Sequence, residues 1–288
     1  MKLVTYIGRA GKQLPGVLLS EDIILNIEES ARKSRLHRDL SSVRELLEAE
    51  DGLEWLERLL AEADIQVMEK RSDCQLLAPV MNPEKILGVA LNYKDFCVKG
   101  GLEFPKTLKV FGKYPSAVNP TGGEFCLWGR KVTYEGELGA VIGKTCRNVR
   151  AGDAGDYIAG YTVVNDISAN DRIKEDVQLF RGKNMDGALP MGPVLVTKDE
   201  IQDPMKLSIA TWVDGVKVQD SSTDQMIFDI YQQVEYFSEF MTLKPGDVIA
   251  TGTPAGTALQ HEPPCFLKKG QRVAVEIESI GRIETRIV

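Results

Sequence analysis

The run Val132-Thr-Tyr-Glu-Gly-Glu-Leu-Gly-Ala-Val-Ile-Gly-Lys144 places two carboxylates, Glu135 and Glu137, two residues apart at the head of an apolar, strand-like segment. Side chains alternate across a strand, so both carboxylates point to one face. A second apolar run, Gly160-Tyr-Thr-Val-Val-Asn165, leads into a third carboxylate, Asp166. Carboxylates at strand mouths suit a hard cation. Oxygen donors select Mg²⁺ or Mn²⁺, whereas zinc favours histidine or thiolate ligands, which this pattern lacks. Octahedral coordination leaves positions free for water and for a chelating ligand such as the carboxylate and keto oxygens of a 2-oxo acid. Such a site supports enolate chemistry. On spacing alone, the three could equally be ordinary exposed acids at strand ends.

The elements that must position them are short. From Leu77 onward, β-branched runs alternate with Gly and Pro punctuation, as in Ile86-Leu-Gly-Val-Ala-Leu91, Val194-Leu-Val-Thr197, Leu207-Ser-Ile-Ala-Thr-Trp-Val213 and Val273-Ala-Val-Glu-Ile-Glu278. One helix is expected over Asp224 to Phe240, with Met226, Ile227, Ile230, Val234 and Phe237 as its core-facing stripe. Before Leu77, leucines at helical spacing from Asp39 to Leu60 predict a charged helix whose polar side is a solvated face. The chain therefore reads as α+β and β-rich, with a small accessory domain over 1–75 and a larger domain over 76–288.

Composition narrows the function classes. With 35 basic and 42 acidic residues, a net charge of −7 and no run of Lys or Arg, nucleic acid is not an expected partner. The five cysteines are odd in number, scattered and without CxxC spacing, which suits reduced thiols in a cytoplasmic protein. Neither a signal peptide nor a membrane-spanning apolar run is expected. No GxGxxG opens a helix after a strand, so a dinucleotide-binding oxidoreductase is disfavoured.

Further words occur in one order: Leu91-Asn-Tyr93, Phe111-Gly-Lys113-Tyr-Pro-Ser116, the paired glutamates, Asn165-Asp166, Arg181-Gly-Lys-Asn-Met-Asp186, Pro190-Met-Gly-Pro193 and Leu243-Lys-Pro-Gly-Asp-Val-Ile-Ala-Thr-Gly-Thr-Pro-Ala-Gly256. Over roughly residues 80 to 288 the chain resembles the fumarylacetoacetate hydrolase family. The resemblance implies a mixed β-roll catalytic domain behind a small N-terminal α/β domain, and a homodimer. It also implies Mg²⁺ or Mn²⁺ held by Glu135, Glu137 and Asp166. It makes Lys183 the catalytic lysine beside the metal, where an ammonium can stabilise charge developing on an enolate oxygen. Thr253 would anchor a substrate carboxylate, and Tyr93, Lys113 and Gln219 match positions that line or close the pocket.

One departure stands out. Hydrolytic members of the family place a His three residues after the Asn-Tyr word and a Glu three residues later, a dyad that activates water; here those positions hold Phe96 and Lys99. Phenylalanine accepts no proton. The first expectation is a divalent-metal-dependent hydrolase of the C–C bond in an acylpyruvate-like 2-oxo acid, acting through a metal-stabilised enolate. A lyase of the same fold, of the oxaloacetate decarboxylase or 2-keto-3-deoxy sugar-acid dehydratase type, needs no such dyad and is the alternative. A non-catalytic 2-oxo acid binding protein comes third. His261, Asp95 and Lys99 are read chiefly as surface groups, and Cys97 as inert for want of a paired histidine.

Overall fold

The computed structural model describes residues 1–62 and 67–288. At its centre lie two strands, Gly136–Ile142 and Ile158–Asn165, buried at every residue, as expected of strands covered on both faces. They pair antiparallel with Gly136 opposite Asn165. That register brings Glu135 and Asp166 together, and the Asp166 N–H donates to the Glu135 carbonyl at 2.8 Å. Leu138, Ala140 and Ile142 pack on one side with Ile209, Val275 and the helix Ile230–Phe240. Val141 faces a second core with Leu46, Trp55 and Leu56.

The large sheet runs in the order Met68–Lys70, Ile23–Asn26, Gln13–Ser20, Lys2–Ile7, Leu189–Thr197, Ile158–Asn165, Gly136–Ile142, Val248–Ala250, Ile86–Ala90 and Lys109–Lys113. Neighbours in this order are antiparallel except Val248–Ala250 and Ile86–Ala90, which run parallel. The strand Lys2–Ile7 hydrogen-bonds to Leu189–Thr197, so the sheet continues unbroken from the N-terminal segment into the rest of the chain. A second sheet, Val216–Ser222, Ser208–Val213, Arg272–Ile277, Gly281–Ile287 and Glu124–Phe125, covers the first core. Strand exceeds helix, 35% to 27%, which makes the fold α+β and β-rich.

Two helix expectations differ from the structure. The Asp39–Leu60 stretch is two helices, Val43–Glu48 and Gly52–Ala61, broken at an extended Ala49. The chain folds back so closely there that a Cβ on residue 52 would stand 1.8 Å from the Leu46 carbonyl oxygen, which only glycine tolerates. The Asp224–Phe240 stretch is α-helical only from Ile230, where Asp229 and Gln232 form a capping box. The preceding residues are held by Asn92 instead: its carbonyl accepts from the Ile227 N–H at 2.8 Å and its Oδ1 from the Phe228 N–H at 2.9 Å. These tertiary hydrogen bonds override the helical period at Ile227 and Phe228.

Candidate metal centre

Glu135, Glu137 and Asp166 converge: one oxygen from each lies within 4.8 Å of the others. Among the described residues this is the one grouping of three or more His, Cys, Asp or Glu side chains close enough to share an ion. Glu137 and Asp166 are buried, while 19% of the Glu135 side chain is exposed, so solvent reaches the cluster from the Glu135 side. Each carboxylate is held. The Gly252 N–H donates to Glu137 Oε2 at 2.8 Å, and the Ser168 hydroxyl lies 3.0 Å from Glu135 Oε1. Asn165 Oδ1 accepts from the Glu135 N–H at 3.0 Å.

Lys183 ends the short helical turn Phe180–Lys183, and its ammonium grips Glu135 Oε2 at 2.8 Å and Asp166 Oδ2. Burial works against its charge, but Asp166, Glu135 and Glu137 hold its pKa above the usual lysine value. It is a fixed positive charge. The Phe111 ring covers it, with the centroid 4.8 Å from Nζ. Burial pushes Glu137 well above the ordinary carboxyl range, reinforced by Asp166 and Glu135, and Glu135 is raised chiefly by burial. Burial alone would raise Asp166 too, but the Lys113 and Lys183 ammoniums bring it below the usual value. Three carboxylates at such separations, two of them buried and the third partly so, repel one another and call for added positive charge. The all-oxygen donor set and its spacing fit a hard divalent cation.

The remaining expected residues surround this centre at different depths. Gln219, 1% exposed, joins strand to loop: its Nε2 donates to Thr253 Oγ1 and to the Pro254 carbonyl, both at 2.9 Å. Its Oε1 accepts from the Gly136 N–H at 3.0 Å and from Thr211 Oγ1 at 2.8 Å. The Thr253 hydroxyl donates to the Gly136 carbonyl at 2.9 Å, so it ties the loop to the strand that carries the glutamates. Tyr93 is fully buried; its hydroxyl lies beside Thr251 without completing a hydrogen bond of good geometry. Burial, with Glu137 next, pushes that phenol well above its usual value. Lys113 lies behind Asp166, donating to Asp166 Oδ1 at 2.7 Å.

The lid segment folds as the helix Lys94–Lys99. Ser221 Oγ donates to Asp95 at 2.7 Å, and Gln260 Nε2 to the Phe96 carbonyl at 2.9 Å. Phe96 packs on the main core, and Lys99 is exposed. Cys97 is buried, and burial raises its thiol pKa, consistent with an inert side chain. His261 is half-buried rather than on the surface; its Nε2 lies 2.9 Å from the Gly256 carbonyl and 3.3 Å from the Tyr134 hydroxyl. Sequence reasoning did not single out Ser168, Asn165 or Phe111, whose partners lie across strands and leave no local signature.

Two buried carboxylates and a partly exposed third beside a buried lysine, at the mouth of paired central strands, form a donor set that could hold a divalent cation on a β-rich α+β fold. The family model for the fumarylacetoacetate (FAA) hydrolase C-terminal domain matches residues 85–288, and the chain belongs to that family of enzymes. It is 41% identical over 221 residues to the mitochondrial oxaloacetate tautomerase Fahd2a of Rattus norvegicus, covering 76% of this chain and 71% of the relative. The solved fumarylacetoacetate hydrolase of Exiguobacterium antarcticum superposes with a TM-score of 0.86 at 30% identity, over 100% of this chain and 99% of that one. Maleylpyruvate hydrolase from Sphingobium sp. SYK-6, solved with manganese(II) and pyruvate, gives 0.80 at 26% identity, with the same coverage of 100% and 99%.

Proposed function

We propose that the protein is a metal-dependent keto–enol tautomerase of a small 2-oxo dicarboxylic acid of the oxaloacetate type. The observation that carries this reading is a complete cluster of Glu135, Glu137, Asp166 and Lys183 under a lid that has Phe96 and Lys99 where water would be activated. A divalent cation held by Glu135, Glu137 and Asp166 would supply Lewis-acid polarisation of the keto oxygen. Lys183 sets a fixed ammonium beside the same carboxylates, where it opposes negative charge growing on that oxygen. The loop beginning at Gly252 is fastened to Glu137, and Gln260 joins it to the lid by accepting from the Gly256 N–H at 2.9 Å. Enolisation breaks a C–H bond and forms an O–H bond with no attack of water on carbon, so the Phe96 side chain does not obstruct it; with Lys183 already an ammonium, the proton would pass through solvent, which reaches the cluster on the Glu135 side. The 41% identity to an oxaloacetate tautomerase supports the same choice.

C–C hydrolysis of an acylpyruvate, the first expectation from sequence, is the second reading, favoured by the likeness to maleylpyruvate hydrolase. It requires another group to activate water. The test adds the enol form of oxaloacetate to enzyme with Mn²⁺ or Mg²⁺ and follows loss of enol ultraviolet absorbance, with pyruvate monitored in parallel and acylpyruvates assayed separately. Faster enol loss without pyruvate, abolished by chelator and by Glu137→Gln, is the expected result. Pyruvate release moves the assignment to a decarboxylase, acylpyruvate cleavage moves it to the hydrolase, and enol loss no faster than in buffer refutes the tautomerase. Saturation with Mn²⁺ at 100 times its Kd stabilises the wild type by about 2.7 kcal/mol in thermal unfolding, and leaves Glu137→Gln nearly unmoved.

A further inference from the structure

We infer that Lys113 is a positioning residue that fixes Asp166 and Lys183 relative to one another, and that it does not touch substrate. Its side chain has no exposed surface. An ammonium carries three N–H donors, and Lys113 has an acceptor for each: Asp166 Oδ1 at 2.7 Å, the main-chain carbonyl of Lys183, and the Ala188 carbonyl at 3.3 Å. None is left for a ligand. Lys183 holds the other oxygen of the same carboxylate, Asp166 Oδ2. The contacts close a ring: the Lys113 ammonium reaches Asp166, Asp166 reaches the Lys183 ammonium, and the Lys183 carbonyl returns to Lys113. Neither Asp166 nor Lys183 can shift without stretching a charge-assisted hydrogen bond inside the protein.

The neighbours of Lys113 strengthen the same junction. Lys109–Lys113 is the last strand of the large sheet. Beyond it, Asn184 takes the place of a further strand: its Oδ1 accepts from the Tyr114 N–H at 2.7 Å and its Nδ2 donates to the Gly112 carbonyl at 3.2 Å. Phe111, two residues before Lys113 and therefore on the same face, lays its ring over Lys183. Residues 111–114 thus grip residues 183 and 184 by ring, ammonium and main chain.

The inference rests on the metal site of the proposed function, so two of its readouts require no turnover. Lys113→Met keeps length and removes the charge. The expected result is an altered electron paramagnetic resonance spectrum of bound Mn²⁺, oxalate affinity at saturating Mn²⁺ close to wild type, and kcat about 10- to 100-fold lower with little change in KM. A substrate-contacting ammonium would instead cost more than about tenfold in oxalate affinity and leave the Mn²⁺ spectrum as in wild type; that result overturns the inference, as does a variant unchanged in every readout. If Lys113→Met does not fold, Asn184→Ala is read in its place. It loosens the same junction from a half-buried position, and the same spectral change with unaltered oxalate affinity is expected, whereas an unchanged spectrum overturns the role. If wild type proves inactive on oxaloacetate, the proposed substrate fails, while the Mn²⁺ and oxalate measurements still decide the role of Lys113.

Discussion

Replacing Gln219 with alanine is expected to damage stability and metal binding together. The side chain makes four hydrogen bonds from a site that is 1% exposed. The two hydroxyl partners can rotate, and Thr253 already donates to the Gly136 carbonyl. The two main-chain partners cannot: the Gly136 N–H and the Pro254 carbonyl lose their bonds inside the protein. At about 1–3 kcal/mol for each unsatisfied buried group the loss is about 2–6 kcal/mol. For a chain of this size that is roughly 5–20 °C in Tm. Gly136 stands between Glu135 and Glu137, so the same change frees the strand that carries both carboxylates, and Mn²⁺ affinity falls about 10- to 100-fold. Urea and thermal unfolding followed by tryptophan fluorescence, with calorimetric titration of Mn²⁺, measure both effects. Gln219→Glu retains the acceptor bonds but sets a carboxylate oxygen against the Pro254 carbonyl, and is expected to lose stability as well. A Gln219→Ala protein within about 1 kcal/mol of wild type and unchanged in Mn²⁺ affinity would refute the reasoning that this side chain joins the loop to the metal strand.

Further outcomes follow from other parts of the molecule. Gly252→Ala forces a side chain onto a residue at φ +103°, with its Cβ 2.8 Å from that of Asn92; displacement of the N–H that binds Glu137 is expected to lower kcat at least tenfold in steady-state assays. Phe96→His combined with Lys99→Glu puts a proton-accepting pair three residues apart on one face of the lid helix; acylpyruvate cleavage above the wild-type rate is expected by product analysis, and its absence means the lid alone does not set reaction type. Hydrogen bonds from Lys85 and Lys244 hold the Glu84 carboxyl down from 4.5 to about 2. A folded pKa below the unfolded one adds stability that is fully present above pH 4.5 and is lost as pH falls toward about 2. Because 38% of that side chain is exposed, the contribution is about 1 kcal/mol or less after solvent screening. Glu84→Gln should therefore lower the urea midpoint slightly at neutral pH, by no more than that contribution, and converge with wild type as pH falls toward about 2, so that the acid limb of a urea-midpoint-versus-pH curve is flatter.

Local pattern determined the chemistry-bearing words. Glu135 and Glu137 share a face because strand periodicity is local, and Asp166 follows its strand for the same reason, so three candidate oxygen donors were legible before any fold was known, although spacing alone did not distinguish them from ordinary strand-end acids. The strands Ile86–Ala90, Ser208–Val213 and Arg272–Ile277 were equally legible, since β-branched runs between Gly and Pro carry their own boundaries. Tertiary structure decided the rest. Antiparallel pairing of Gly136 with Asn165 set Asp166 beside Glu135, a contact between residues whose spacing says nothing of register. Asn92 held Ile227 and Phe228 out of a helix that periodicity favoured, because hydrogen bonds from a distant loop outweigh a weak local propensity. The roles of Lys113 and Gln219 were likewise invisible in one dimension. Each acts on groups dozens of residues away, and whether a buried lysine or glutamine meets a ligand or the protein's own carbonyls is set by which acceptors the folded chain brings within hydrogen-bonding distance.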